Sequence, residues 1–107
     1  MKNKKEIILG IDPGYGRTGW GVIEKVSGDW QVVDWGCIET SVKDPFVDRL
    51  VELYKELQKL IKKYKPTRAG VEELFFAKNV KTAMKVGQAR GVILLTLMQA
   101  DLPIDEF

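Results

Sequence analysis

Two carboxylates hold positions from which chemistry is possible. Asp12 closes the run EIILGID (6–12) and is followed by Pro13-Gly14, and Glu72 sits near the end of TRAGVEE (67–73). Both runs read as short strands. If the strands are adjacent and parallel, both side chains emerge at the carboxyl end of a sheet, where open α/β folds place their ligand sites. Converging carboxylates are hard oxygen donors suited to Mg²⁺ or Mn²⁺. The plain alternative makes Asp12 a turn-former before Pro-Gly and Glu72 a solvated strand end. Pattern alone leaves both readings open. The sequence has no His and one Cys. That removes His catalysis, His–Cys zinc sites and Ser–His–Asp triads, so carboxylates, lysines or a bound metal must carry any reaction.

The elements that would position these residues follow from periodicity. GWGVIEKV (19–26) and WQVVDWGCIET (30–40) are β-branched and aromatic, and Ser27-Gly28-Asp29 between them signals a hairpin. Trp20, Trp30 and Trp35 read as sheet packing. From 46 to 64 the period changes: Phe46, Leu50, Leu53, Leu57, Leu60, Ile61 and Tyr64 recur every three or four residues, one face of an amphipathic helix. Asp44 is placed to cap it, Pro45 to open it and Pro66 to stop it. A second helix is expected over 79–100, and IDEF opens a last strand. The order β-β-β-α-β-α-β predicts an α/β mixed sheet with helices packed on it.

The 107 residues suit one domain, 1–107, with 17 basic and 15 acidic side chains. No apolar run approaches the roughly 20 residues of a membrane helix. The N-terminus lacks a signal-peptide pattern, and one Cys fits a reducing compartment, so a cytoplasmic location is expected.

GIDPGYGRTGWGVIE, then GCIET, then GVEELFFAKNVKTAMKVGQARGVIL resemble, in order, the RuvC family of Holliday-junction resolvases. FFAKNVKTAMKVGQARGV is the most specific stretch. The resemblance implies an RNase H-like fold in which the first strand is central and the fourth lies beside it. It implies four acidic positions around divalent metal, of which Asp12 matches the first and Glu72 the second. The other two lie in a helix beyond the fifth strand, so the chain reads as lacking the C-terminal part of that fold and, by itself, as inactive. Asp105 and Glu106 are expected at the amino end of the sheet, a strand length from Asp12, and so not as substitutes. The implied reaction is two-metal phosphodiester hydrolysis, with Asp12 bridging both ions and Glu72 holding one. Mg²⁺ is the expected cofactor, with Mn²⁺ as an alternative. A four-way DNA junction, a homodimer in the intact protein, and the junction-binding and branch-migration proteins RuvA and RuvB are the implied partners.

Between Glu73 and Asp101 there is no acidic residue, while Lys78, Lys81, Lys85 and Arg90 are present. Lys78, Lys81 and Lys85 share one helical face, suited to a phosphate backbone. An ordinary solvated face is the alternative. Lys78 and Asn79 lie in the AKN core of the motif. Phe75 follows the catalytic Glu and, in the resembled family, an aromatic here stacks on a base at the opened crossover; Phe76 is expected to be packed. In the loop after Asp12, Arg17 and Thr18 are placed to approach DNA. Ala83, Gly87 and Gly91 step by four, and packing on the domain's own sheet is favoured over a subunit contact.

The leading reading is thus a structure-selective junction endonuclease of recombination and repair. A non-catalytic branched-DNA-binding or dimerisation fragment of the same fold is the alternative. An actin-like nucleotide-binding fragment, whose first strand also ends in Asp-x-Gly, is disfavoured by the FFAKNVKTAMKVGQARG stretch.

Overall fold

The computed structural model describes residues 5–73 and 79–107. Five strands and two helices run β1 (Ile7–Asp12), β2 (Arg17–Val26), β3 (Asp29–Glu39), α1 (Phe46–Tyr64), β4 (Arg68–Val71), α2 (Val80–Gln99) and β5 (Ile104–Glu106). They form one mixed sheet of order β3-β2-β1-β4-β5. β1–β2–β3 is an antiparallel meander, and the positive-φ residues Ser27 and Gly28 between β2 and β3 match the twist of a tight hairpin. β4 adds parallel to β1 and β5 parallel to β4, each after a helical crossover. The adjacency of the first and fourth strands is therefore as expected.

Alternate strand residues face the helices. Leu9 and Ile11 of β1, Val22 of β2, Ile38 of β3, and Ala69 and Val71 of β4 pack with Leu53 and Leu57 of α1 and Ala89, Ile93 and Leu97 of α2. Each fully buried Leu, Ile or Val stabilises the fold by about 1.5–3 kcal/mol. Trp20 joins this core, tilted against Tyr64 with centroids 5.8 Å apart. Gly36 opposite leaves the space: a Cβ there would lie 2.9 Å from the indole. Trp35 departs from the packing expectation, being 75% exposed, and Trp30 is also exposed.

Helix α1 has the expected span but a different start. Pro45 itself is the N-cap, with extended backbone and no side-chain cap, so Asp44 does not cap. The Asp44 N–H instead closes a turn onto the Ser41 carbonyl. At the other end Lys65 turns left-handed (φ 49°) ahead of Pro66, which cannot extend the helix.

The last strand corrects the placement of Asp105 and Glu106. Asp105 is level with Gly70 and so with Gly10, two residues from Asp12 rather than a strand length away, and its carboxylate pairs with Arg68. β5 has only three residues and pairs Ile104, Asp105 and Glu106 with Ala69, Gly70 and Val71. Glu106 is thus level with Val71, at the carboxyl end of the sheet, not the amino end. What separates it from Asp12 is the face. Glu106 shares the helix-facing side with Val71, and its carboxylate pairs with Arg90 of α2.

Candidate metal and nucleic-acid site

Asp12 and Glu72 end neighbouring parallel strands. Ile11 pairs with Val71, and the Glu72 N–H donates to the Ile11 carbonyl at 3.1 Å. Hydrogen-bonded strands lie about 4.8 Å apart. Both side chains point away from the helices and line one shallow hollow with Gly10, Gly19, Gly21 and Phe107. The glycine floor keeps this face low beside the carboxylates.

The two acids act on each other. A hydrogen bond that protonated Glu72 donates to the Asp12 carboxylate, then the Asp12 charge, then desolvation hold the Glu72 carboxyl above the usual glutamate range. A carboxyl raised in the folded state favours folding most below its unfolded pKa. That contribution is lost as pH rises through the raised value. At neutral pH the pair is a site of like-charge repulsion, which a cation bound between the two would relieve. Two hard oxygen donors with no basic side chain paired to either among the described residues fit a divalent cation. Among the described residues no group of three or more potential ligands comes together.

Around this pair the predicted DNA-facing residues divide. Phe75 and Lys78, and with them Phe76, lie outside the described residues. Asn79 caps α2: its Oδ1 accepts from the N–H groups of Lys81 (2.8 Å) and Thr82 (3.4 Å). Lys81 is exposed in the first turn. Lys85 reaches the Tyr15 hydroxyl at 3.4 Å. Arg90 turns inward, its Nε donating to the Glu72 carbonyl at 3.3 Å while its guanidinium pairs with Glu106. It ties α2 to the ends of β4 and β5 and so fixes where the Glu72 backbone sits. Arg17 pairs with Glu39, and Thr18 is buried on the helix side, so Thr18 cannot approach DNA as expected. Gly87 and Gly91 face open space: a Cβ built on either would meet no atom within 4 Å. This overturns the expectation that they pack on the domain's own sheet.

Sequence reasoning missed Arg49. It is 4% exposed, donates from Nε to Thr40 Oγ1 at 3.0 Å, and lies over both Tyr15 (5.0 Å) and Phe46 (5.6 Å). The signal was present: Arg49 falls three residues after Phe46 and four before Leu53, a cation on the apolar face of α1.

The family model "Crossover junction endodeoxyribonuclease RuvC" matches residues 8–107. The chain belongs to the RuvC family. A RuvC of Roseiflexus sp. strain RS-1 is 54% identical over 99 residues, 92% of this chain and 59% of that relative. A RuvC of Petrotoga mobilis is 50% identical over 101 residues, 94% of this chain and 62% of that relative. The chain thus spans about 60% of the length of the curated RuvC proteins it matches. The structure of T. thermophilus RuvC in complex with a Holliday junction substrate superposes with a TM-score of 0.84 at 25% identity, covering 95% of this chain and 64% of that one. The mixed five-stranded sheet is accordingly the RNase H-like sheet of RuvC.

Proposed function

We propose that this chain is the junction-facing nuclease portion of a RuvC-type endonuclease that resolves four-way DNA junctions in recombination and repair. The observation that carries the proposal is the Asp12–Glu72 pair at the carboxyl end of β1 and β4, within a chain of RuvC-family sequence. Asp12 and Glu72 would hold divalent metal, Mg²⁺ with Mn²⁺ as alternative, and a metal so held supplies an activated water and charge neutralisation at the leaving oxygen. Asp12, on the central strand, would contribute to both ion positions, and Glu72 to one. Arg90 holds the Glu72 backbone in place. Lys81 and Lys85 would meet phosphates, as would Lys78 and Asn79 of the motif core, with Phe75 stacking on an unpaired base. RuvA and RuvB are the partners proposed from the family resemblance, and the cytoplasm the compartment. Among the described residues, no helix is long and apolar enough to cross a membrane.

A four-way junction needs two symmetric cuts, and a two-fold dimer supplies them. The outward face of α2 is suited to a second copy. Val80, Met84, Leu95 and Met98 are exposed there, with Gly87 and Gly91 between them allowing close helix approach.

The test is cleavage of a synthetic four-way junction with Mg²⁺ or Mn²⁺, using this chain extended by the C-terminal portion of the Roseiflexus relative. Paired, symmetry-related nicks are expected, with little cutting of linear duplex. The 107 residues alone are expected to bind the junction without nicking it, since they bring two of the four implied acidic positions. Equal cutting of linear duplex, or no cutting by the extended protein, would overturn the reading.

A further inference from the structure

A second cluster lies on the helix side of the loop after Asp12 and takes no part in the metal-site pair. The loop after Asp12 carries Tyr15, whose ring lies nearly parallel to that of Phe46 at the start of α1, with centroids 6.4 Å apart and an interplanar angle of 10°. Two cations converge on these rings. The Arg49 guanidinium lies over both, and the Lys85 ammonium of α2 lies 5.4 Å from both centroids. No carboxylate pairs with either cation among the described residues. Arg49 Nη2 is buried with no hydrogen-bond partner there. It occupies the space a side chain on Gly16 (φ +76°) would need, which pins the loop from beneath. Burying an unpaired charge is costly. The aromatic faces offset part of that cost. Arg49 first and Lys85 second draw the phenol below the ordinary tyrosine range.

We propose that the Tyr15 hydroxyl and the Lys85 ammonium, held in place by Arg49, form a subsite for a backbone phosphate of the bound DNA strand on the helix side of the loop that leaves Asp12. This rests on the junction-nuclease reading. A phosphate oxygen accepts from both groups at once, and its charge supplies the anion the cluster lacks. Arg49 is a positioning residue here. Its guanidinium lies over the rings while its Nε donates to Thr40, a combination a lysine ammonium cannot reproduce.

The test is binding of a fluorescent four-way junction by the 107-residue chain across a salt series. Lys85→Ala is expected to weaken binding and to lower the slope of log affinity against log salt by about one unit. Tyr15→Phe, which removes only a hydroxyl from an exposed side chain, is expected to weaken binding roughly threefold to tenfold with the slope unchanged. Combined with Lys85→Ala it should add less than its separate effect. Arg49→Lys should reproduce the Tyr15→Phe loss while the protein stays folded, and should move the Tyr15 ring resonances in the free protein. Binding by the parent chain that Tyr15→Phe leaves unchanged would overturn the subsite alone. No binding by the parent chain would overturn the nuclease reading and the subsite together.

Discussion

Asp12→Asn in the extended protein should reduce junction cutting by at least about 100-fold while leaving junction affinity intact. Losing only an outer-shell partner of a metal ligand typically costs about 10–100-fold in affinity or activity, so losing a shared ligand should cost no less. The substitution keeps size and shape, and it takes away the negative charge that holds Glu72 above its usual range. Binding depends on basic side chains and phosphates. Removing an acid beside the DNA path should leave affinity unchanged or slightly higher. Glu72→Gln should behave in the same way. Cutting assays paired with gel-shift titrations separate the two effects, and a variant that loses binding and cutting together would contradict the assignment.

Gly14→Ala should be the most damaging substitution in the loop after Asp12. A Cβ at Gly14 would lie 2.1 Å from the Arg17 carbonyl oxygen, a backbone atom that cannot rotate away. The loop must shift, and overpacking of this kind costs about 1–3 kcal/mol. Thermal unfolding should register this as a loss of roughly 4–8 °C per kcal/mol in a domain of this size. Gly21→Ala, on the open face with no atom near the new methyl, is the control and should change stability little. Equal melting temperatures for the two variants would show that the loop is less constrained than its geometry implies.

Helix α1 was legible in the sequence because seven apolar residues share one spacing, and the helix spans Phe46–Tyr64 as that spacing predicts. Asp12 and Glu72 were legible as strand-end acids, but pattern could not say that β1 and β4 are neighbours. That came from the family resemblance, and the Ile11–Val71 pairing bears it out. The position of Glu106 was not legible. A strand of three residues has no periodicity to set its register, and only the pairing of β5 with β4 places Glu106 at the carboxyl end and on the helix side. Gly87 and Gly91 signal close approach of another backbone without saying whose, and the open space around them shows that it is not this domain's sheet. Trp35 stands exposed on β3, where strand composition cannot tell which side will be covered. Arg49 and Tyr15 are 34 positions apart in the chain and meet only through folding.

The proposed reaction requires Asp12 and Glu72 to hold a divalent cation between them. Paramagnetic broadening of backbone amide signals by Mn²⁺ in the ¹⁵N-labelled 107-residue chain tests this most directly, because it detects weak binding and locates it. At neutral pH, substoichiometric Mn²⁺ should broaden the amides of Asp12, Gly14, Glu72 and Glu73 first. The broadening should fade as pH falls through the raised Glu72 value, because protonation removes a ligand charge. It should disappear from these amides in Asp12→Asn. Broadening centred elsewhere, such as on Glu52 and Glu56 of α1, or a pattern that survives Asp12→Asn, would contradict the metal-site assignment.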